Sequence, residues 1–307
     1  MGKIAFVFAG QGAQYSGMGQ SLCEVSPAAK AVFETADALR AGTSQQCFTG
    51  TAEELSITKN TQPCLYCVDL AAAKALEEAG VKPDYVAGFS LGEIAALAYA
   101  GVFTQEQGFS FVCKRAEAMQ KAGEENPGAM AAVLKLKNEQ VEELCAGFEK
   151  VWPVNYNCPG QLVVAGEKSQ IGEFCQKVAD AGGKAVPLAV SGGFHSPFME
   201  SASQTLKEVL EPMQLGEPQV PVYANYTAQP YDGSAKELIT QQVKNPVRWQ
   251  ETVENLCALG VDTFIECGPG KTLCGLIRKT VKGVNVMNVQ DEESLKAALE
   301  ALKAAGE

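Results

Sequence analysis

Residues 85–100 read YVAGFSLGEIAALAYA, and this stretch predicts a short strand that turns tightly into a helix. Tyr85–Ala87 is apolar and runs into Gly88, as buried strands of parallel sheets do. Leu91–Ala100 consists mainly of small and apolar residues and stops at Gly101, which is typical of a helix end. A strand that leads directly into a helix is the unit from which α/β folds are built.

The turn Gly88-Phe-Ser-Leu-Gly92 fits the pattern G-x-S-x-G, which is typical of a nucleophile elbow. Its glycines allow the strand and helix backbones to approach closely, so that the serine oxygen projects outward. The start of the following helix supplies free N–H groups and a partial positive charge for an oxyanion. The pattern therefore favours Ser90 as a nucleophile. The alternative is a glycine-flanked turn in which the serine only caps the helix.

Strands and helices alternate on both sides of this stretch. Apolar runs at Ile4–Ala9, Asp262–Glu266 and Val284–Val289 predict three more buried strands. Further helices are predicted at Ser26–Arg40, Pro63–Ala79, Gln105–Lys121, Ser201–Leu210, Thr272–Val281 and Glu292–Ala305. This alternation predicts an α/β fold with a mostly parallel sheet that is covered by helices on both faces.

The middle of the chain has a different pattern. Its predicted elements are the strand Ala129–Lys135, the helix Asn138–Phe148, the strands Val151–Tyr156 and Leu162–Ala165, the helix Gln170–Ala181 and the strand Lys184–Leu188. The order β-α-β-β-α-β predicts a ferredoxin-like subdomain. Two glycine-containing segments flank this subdomain: one ends at Gly128, and the other is Ser191–Gly193. We therefore expect a core of residues 1–125 and 193–307, interrupted by a small subdomain of residues 126–192.

Composition excludes several classes of protein. Of the 307 residues, 46% are hydrophobic and 20% are charged, which is typical of a globular chain and not of a disordered one. The net charge of −11 argues against binding to nucleic acid, which needs clustered positive charge. There is a single histidine, so a histidine-rich metal site is excluded and any mechanism that needs an imidazole must use His195.

Cysteine usage and the lack of long apolar runs indicate the compartment. The count of eleven cysteines is odd, and the chain is long enough for a real core, so free thiols are expected. The apolar run within Lys3–Phe8 is too short for a signal peptide, and no run approaches the roughly 20 residues of a membrane span. We therefore expect a cytoplasmic protein that does not associate with membranes.

His195 is the candidate general base. A serine hydroxyl is a weak nucleophile and needs a base to take its proton. The histidine lies in the glycine-rich segment Ser191-Gly-Gly-Phe-His-Ser-Pro197, just before a predicted helix and at the far boundary of the small subdomain. Loops on a rigid sheet commonly carry catalytic groups. The alternative is an isolated histidine on the surface or in the core.

Three other motifs do not support the functions that they suggest. Gly10-Gln-Gly-Ala-Gln14 follows the first strand, but Tyr15 stands where a dinucleotide fingerprint needs glycine. This loop can instead present a backbone N–H to a site. Gly270-Lys-Thr272 lacks the first glycine of a P-loop, because residue 265 is isoleucine. Cys64-Leu-Tyr-Cys67 lies inside a predicted helix without a second pair, so buried thiols are expected there rather than a redox or zinc site.

Several motifs in order along the chain together resemble the malonyl-CoA:acyl carrier protein transacylases, the acyltransferases of fatty acid synthesis and lipid metabolism. The similarity extends more distantly to the acyltransferase domains of polyketide synthases. The motifs that carry it are Phe8-Ala-Gly-Gln-Gly-Ala-Gln14, Gly88-Phe-Ser-Leu-Gly-Glu93, Arg115 before Met119-Gln120, Gly128-Ala-Met-Ala131, Asn157-Cys-Pro-Gly-Gln161, Phe194-His-Ser-Pro197, Asn245-Pro-Val-Arg-Trp249 and Glu266-Cys-Gly-Pro-Gly-Lys271.

This resemblance implies an α/β-hydrolase-like core with a ferredoxin-like insert, and it implies roles for particular residues. Ser90 would attack the thioester carbonyl, and His195 would take the proton. The backbone N–H groups of Gln11 and Leu91 would hold the oxyanion. The reaction would be a two-step transfer from malonyl-CoA, through a malonyl-serine, to the phosphopantetheine thiol of a holo acyl carrier protein. No metal or other cofactor would be bound.

The resemblance also assigns residues around this centre. The side chain of Arg115 would pair with the malonyl carboxylate, whereas the residues alone would place it on a solvated helix face. The backbone carbonyl of Gln242 would orient His195. Pocket-lining positions would be Asn157, Phe194 and Met119. In this family histidine usually occupies the position of Phe89, so that position does not supply the base here.

Alternatives remain at the level of the sequence. A trans-acting acyltransferase of a polyketide synthase would differ only in its carrier protein. A serine esterase or thioesterase would use the same elbow with water as acceptor, and a non-catalytic interaction protein would not use it at all. Because carrier proteins are typically acidic, docking on this acidic chain needs a local basic patch, and the candidates are Lys271, Arg278, Lys279 and Lys282.

Overall fold

The computed structural model describes residues 2–190 and 192–306, and within them the chain forms two sheets. The strands are β1 (Lys3–Phe8), β2 (Tyr85–Gly88), β3 (Gly128–Leu134), β4 (Val151–Cys158), β5 (Gln161–Glu167), β6 (Lys184–Pro187), β7 (Val222–Tyr223), β8 (Val261–Cys267) and β9 (Asn285–Val289). The helices are α1 (Gln20–Val25), α2 (Pro27–Leu39), α3 (Thr43–Thr49), α4 (Ala52–Ser56), α5 (Thr58–Glu78), α6 (Leu91–Tyr99), α7 (Gln105–Glu125), α8 (Asn138–Ala146), α9 (Lys168–Asp180), α10 (Glu200–Leu210), α11 (Ala235–Gln242), α12 (Trp249–Ala258), α13 (Thr272–Thr280) and α14 (Glu292–Gly306).

The larger sheet is parallel, with the strand order β7-β2-β1-β8-β9. Alternate residues of its central strand β1 point into two different cores. Phe6 and Phe8 pack in the core on the α5 side, and Ala5 and Val7 pack in the core that includes residues of α12 and α13. Both faces of the sheet are therefore covered, which explains why β1 is apolar along its length. The mixed α/β class with a parallel sheet is confirmed.

The smaller sheet is antiparallel, with the strand order β4-β5-β3-β6. The helices α8 and α9 cover it, and a separate hydrophobic core that includes Val133, Val164 and Phe174 fills the space between sheet and helices. An antiparallel bridge between Pro127 and Gly192 joins the chain where it enters and leaves this part. Ser191, which belongs to the predicted glycine-rich boundary, lies outside the described residues.

The structure adds elements that the sequence patterns did not predict. The helix that was expected from Pro63 begins at Thr58, so the proline lies one turn inside α5 rather than at its start. The short helices α1, α3 and α4, the two-residue strand β7, and the helices α11 and α12 were also not predicted. The helices α1, α3 and α4 and the strand β7 have at most seven residues each, so they carry too few apolar positions to show a clear period.

All eleven cysteines carry free thiols, as expected. None of the helices in the described part of the chain is long and apolar enough to span a membrane.

Candidate active site

Ser90 lies in the turn between β2 and α6, with a φ of 54° and a ψ of −106°. Two glycines make this turn possible. A Cβ atom on Gly88 would collide with the backbone of Gly92, and one on Gly92 would collide with the carbonyl group of Phe8. The start of α6 therefore lies directly against the carboxyl ends of β1 and β2. This close packing places the Ser90 side chain at that edge of the parallel sheet, where ligands of α/β folds usually bind.

The side chain of His195 contacts the Ser90 hydroxyl directly. The Ser90 Oγ and His195 Nε2 atoms are 2.8 Å apart. On the other side of the ring, Nδ1 is 2.9 Å from the backbone carbonyl oxygen of Gln242. A carbonyl can only accept, so Nδ1 carries the proton and Nε2 is free to accept one from serine. The family resemblance implies that the Gln242 carbonyl orients His195, and the two groups lie in contact.

The environment keeps the imidazole of His195 neutral. His195 is 4% exposed, and its backbone N–H donates to the carbonyl of Val243 at 3.0 Å. Burial, with the positive charge of Arg115 as a second cause, lowers the pKa of His195 to about 4. The ring is therefore in its base form at neutral pH.

Arg115 is buried, with 1% exposure, so the expectation from the residues alone of a solvated position is wrong. Its Nη1 donates to Gln62 Oε1 at 2.7 Å, and its Nη2 donates to Gln242 Oε1 at 2.8 Å and to Ser90 Oγ at 3.1 Å. These three acceptors are neutral. Burial lowers the pKa of Arg115 to about 10, which leaves the guanidinium charged at neutral pH. A buried cation beside the nucleophile, held only by neutral groups, is suited to binding an anionic substrate group.

Behind the elbow lie three polar side chains whose contacts were not predicted from the sequence: those of Asn225, Gln242 and Glu93. The Asn225 side chain accepts from the Ser90 N–H at 2.7 Å and donates to the Gly88 carbonyl at 2.5 Å. The Gln242 amide donates to the Ser90 carbonyl at 2.8 Å and to Asn225 Oδ1 at 3.3 Å. Glu93 accepts from the Asn225 backbone N–H at 2.7 Å and from the Tyr231 hydroxyl. One signal was available, because Glu93 is the only charged residue in residues 85–100.

The proposed oxyanion donors are Leu91, which follows Ser90 directly, and Gln11, which lies in the loop after β1. Leu91 is the first residue of α6, and the N–H groups of a first helical turn have no partner within the helix. Gln11 follows β1 and lines the same cavity as Ser90 and His195. Its neighbour Gly10 approaches the elbow closely, since a Cβ on that glycine would lie 2.8 Å from the carbonyl oxygen of Phe89.

A cavity of about 520 Å³ opens above Ser90 and His195, between the two sheets. Met130 of β3 and Asn155 of β4 line it from the side of the antiparallel sheet. The predicted lining residues Met119 and Phe194 also border it, together with Gln11, Thr58, Phe89, Leu188 and Val190.

Asn157 borders a neighbouring cavity of about 290 Å³ instead. This second cavity shares Gln11, Phe89 and Asn155 with the first, so the two cavities adjoin each other. The Phe89 ring packs against Trp249, with centroids 5.7 Å apart.

Comparison with known proteins shows the same family over nearly the whole chain. Residues 5–298 match the acyl transferase domain family. The chain is 40% identical to the malonyl CoA-acyl carrier protein transacylase of Bacillus subtilis (strain 168), over 99% of this chain and 98% of the relative. It is 37% identical to the protein of the same name from Synechocystis sp., over 95% of this chain and 99% of the relative.

Two solved structures are similar in fold and sequence. The malonyl CoA-acyl carrier protein transacylase of Clostridium perfringens superposes with a TM-score of 0.96 at 37% identity, and the match covers 99% of this chain and 98% of that one. A complex of a holo type II polyketide synthase acyl-carrier protein with its malonyl-transacylase gives a TM-score of 0.93 at 37% identity. That match covers 97% of this chain and 99% of the other.

Proposed function

The chain belongs to the acyl transferase domain family, and on this premise we propose that it transfers a malonyl group from malonyl-CoA to the phosphopantetheine thiol of an acyl carrier protein. The observation that carries the proposal is the convergence of two groups on one oxygen atom. The imidazole of His195 and the guanidinium of Arg115 both lie within hydrogen-bond distance of Ser90 Oγ. A nucleophile, its base and a carboxylate-binding cation are thereby joined, as malonyl transfer in fatty acid synthesis requires.

The first half-reaction forms a malonyl-serine. His195 Nε2 takes the hydroxyl proton while Ser90 Oγ attacks the thioester carbonyl carbon of malonyl-CoA. The N–H groups of Gln11 and Leu91 donate to the resulting oxyanion, and each such donor typically contributes about 3–4 kcal/mol. Collapse of this intermediate expels the CoA sulfur, which receives the proton from His195. The products are free CoA and an ester on Ser90.

The second half-reaction repeats these steps with the carrier protein. The phosphopantetheine thiol gives its proton to His195 Nε2, and its sulfur attacks the malonyl ester. The Ser90 oxygen leaves and recovers the proton from the imidazole. The carrier protein brings the phosphopantetheine, so the enzyme needs no bound cofactor of its own.

Arg115 supplies the selectivity for malonyl groups. A guanidinium can hold a carboxylate by two parallel hydrogen bonds, whereas an acetyl group offers no such partner. Because the cation is buried, we expect malonyl-CoA to be favoured over acetyl-CoA by about 100-fold or more. Met119 and Phe194 would line the malonyl pocket, and Asn157 would line the adjoining cavity.

Intact-protein mass spectrometry after brief incubation with malonyl-CoA tests this proposal. We expect one malonyl adduct per chain, no adduct with acetyl-CoA at the same concentration, and no adduct in Ser90→Ala. Release of CoA without an adduct would instead identify a serine esterase or thioesterase. With the adduct established, transfer to carrier proteins from fatty acid and polyketide systems shows which carrier is the acceptor.

We also propose the division into a core of residues 1–125 and 193–307 and a subdomain of residues 126–192. The bridge between Pro127 and Gly192 and the separate core of the antiparallel sheet support this division. The strand order β4-β5-β3-β6 supports the ferredoxin-like description of the small subdomain, and the elbow at Ser90 supports the hydrolase-like description of the core. The eleven free thiols support a cytoplasmic location.

A further inference from the structure

Glu93 is a buried acid in the second layer of the site. It lies in the first turn of α6 and is 1% exposed. Its carboxyl oxygens accept from the Asn225 N–H and from the Tyr231 hydroxyl. The charged or titratable groups that act on it are Tyr231, which follows β7, and Arg115 of α7. The other groups that contact it, Asn225 and Gln242, are neutral amides.

Glu93 and Arg115 are linked without forming an ion pair. Arg115 donates to the Gln242 side chain, which donates to Asn225, whose backbone N–H donates to Glu93. The ion pairs in residues 2–190 and 192–306 all involve other side chains. The site thus holds one buried cation and one buried acid, and His195 beside them is neutral. When a substrate carboxylate binds and Glu93 is ionised, two negative charges face the single positive charge of Arg115.

We propose that Glu93 is the counter-charge of Arg115 and that it takes up a proton from solvent when the carboxylate of the substrate binds. The inference rests on the proposed function, because Arg115 must be the group that binds this carboxylate. When Glu93 is ionised, its negative charge offsets part of the positive charge of Arg115, so the substrate carboxylate is bound more weakly. When Glu93 is protonated, the guanidinium is fully available. By thermodynamic reciprocity, the bound carboxylate raises the proton affinity of Glu93 in the same measure.

Glu93 changes its protonation state near neutral pH, so its coupling to substrate binding can be measured there. Burial raises the pKa of Glu93 to about 7, and the hydrogen bonds from Tyr231, Asn225 and Gln242, together with the charge of Arg115, oppose that rise. Below this pH the acid is neutral and the substrate binds tightly. Above it the acid is ionised, so KM for a malonyl thioester rises. Couplings between linked sites commonly amount to about fivefold or more, which is the rise we expect between about pH 6 and pH 8.5.

Acylation kinetics with malonyl-N-acetylcysteamine thioester test the inference on the full chain. This substrate has no phosphate groups, so its carboxylate is its only group that ionises below neutral pH. KM and kcat are measured across the pH range for the unaltered enzyme, Glu93→Gln and Tyr231→Phe. The glutamine is neutral and keeps an acceptor for the Asn225 N–H, so we expect a low KM that does not change with pH. Tyr231→Phe removes one hydrogen bond to the carboxylate, so the rise in KM should move to higher pH.

The outcomes separate three cases. A flat KM in the unaltered enzyme, a persistent rise in Glu93→Gln, or a shift to lower pH in Tyr231→Phe would each overturn the inference. A merely structural role for Glu93 would lower kcat and thermal stability at every pH without moving the rise. If Glu93→Gln does not fold, Tyr231→Phe decides, since it retains the carboxylate. If the unaltered enzyme forms no malonyl-serine at any pH, the proposed function itself fails.

Discussion

Ser90 has a backbone conformation that few residues other than glycine adopt. Its φ of 54° costs free energy and persists only where the surroundings fix it. Asn225 is the main fixing group, because its side chain bonds to the Ser90 N–H on one side and to the Gly88 carbonyl on the other. The nucleophile therefore depends on an amide about 135 residues away in sequence.

We expect Asn225→Ala to reduce kcat for malonyl transfer by about 10- to 100-fold. The change leaves the Ser90 N–H and the Gly88 carbonyl without their partner, which costs about 1–3 kcal/mol and loosens the elbow. Steady-state kinetics, with a thermal melt to confirm folding, measure the effect. Asn285→Ala removes an exposed asparagine on β9 and should leave kcat unchanged. Equal activity in the two variants would contradict the role given to Asn225.

Arg115 is the side chain that we propose to govern substrate choice. We expect Arg115→Ala to lower kcat/KM for malonyl-CoA by about 100-fold or more, because the substrate carboxylate then enters a buried site without a cation. Activity with acetyl-CoA should fall much less, so the selectivity ratio collapses. Lys114→Ala is the matched control, since Lys114 lies on the same helix but is exposed. An unchanged ratio of the two kcat/KM values in Arg115→Ala would assign selectivity to another group.

We propose His195 as the base, and the pH profile of acylation then follows from its pKa. Its pKa of about 4 means that the base is neutral, and active, above that pH and protonated, and inactive, below it. We expect the rate of malonyl-serine formation in single turnovers to rise from about pH 4 to a plateau near pH 5. Arg115→Ala removes the neighbouring positive charge, so its residual rate should show this rise at higher pH. If the rate of the unaltered enzyme instead rises near the ordinary pKa of histidine, burial does not lower the pKa of His195 as stated.

At the scale of elements, long periodic segments were predictable and short connecting ones were not. The strands β1, β2, β8 and β9 follow from apolar runs, because a strand buried on both faces needs them. Two residues suffice for β7, whose pairing with β2 is fixed by tertiary contacts rather than by its own pattern. Asn225 lies just beyond the end of that strand. The contact of its side chain with the Ser90 turn could therefore not be predicted from the sequence.

In the site, too, residues marked by a local pattern could be predicted, and those placed by distant contacts could not. Ser90 was identified by a local pattern of glycines, and His195 because the chain has only one imidazole. The burial of Arg115 could not be derived locally, because its acceptors Gln62 and Gln242 come from two helices distant in sequence. Only the family resemblance assigned that arginine a place in the site.

The helix α13 and the residues that flank it carry the basic patch that we propose for docking of the carrier protein. The side chains of Lys271, Arg278, Lys279 and Lys282 are exposed, and Arg278 also donates to the carbonyl of Val286 at 2.9 Å. Thr272, Leu273 and Leu276 of the same helix border the smaller cavity, which shares Gln11 and Phe89 with the cavity above Ser90. A carrier protein bound here would lie beside the smaller cavity, which adjoins the cavity that holds Ser90 and His195.

We expect Lys279→Glu to raise KM for the carrier protein by about 3- to 10-fold and to leave the first half-reaction unchanged. The acidic partner meets a like charge only when it docks, whereas malonyl-CoA reaches Ser90 without that contact. Steady-state transfer at low and moderate salt measures the effect, which should shrink as salt screens the charges. Lys177→Glu on α9 reverses a charge outside the patch and serves as the control. Equal effects of both substitutions would exclude α13 as the docking surface.

At the scale of the whole molecule, backbone hydrogen bonds tie strand β4 of the antiparallel sheet to the segment that precedes α12 in the larger part. The N–H of Val247 donates to the carbonyl of Val154 at 2.8 Å, and the N–H of Tyr156 donates to the carbonyl of Val247 at 2.9 Å. Phe194 packs against the core of the larger part and also against residues on the open face of the antiparallel sheet. Since the active-site cavity lies between the sheets, these ties keep its two walls at a fixed distance.

We therefore expect the chain to unfold in one cooperative transition rather than in two. Val164 is fully buried in the core of the antiparallel sheet, and Val164→Ala should lower the free energy of unfolding by about 2 kcal/mol. Because the two parts are tied, the single transition should shift as a whole, and malonyl transfer should be lost at the same lower temperature. Val186→Ala, at a 37% exposed position on β6, should change stability by less than about 0.5 kcal/mol. Differential scanning calorimetry decides the matter, because a separate early transition in Val164→Ala would mean that the small subdomain unfolds independently while the elbow and its base stay intact.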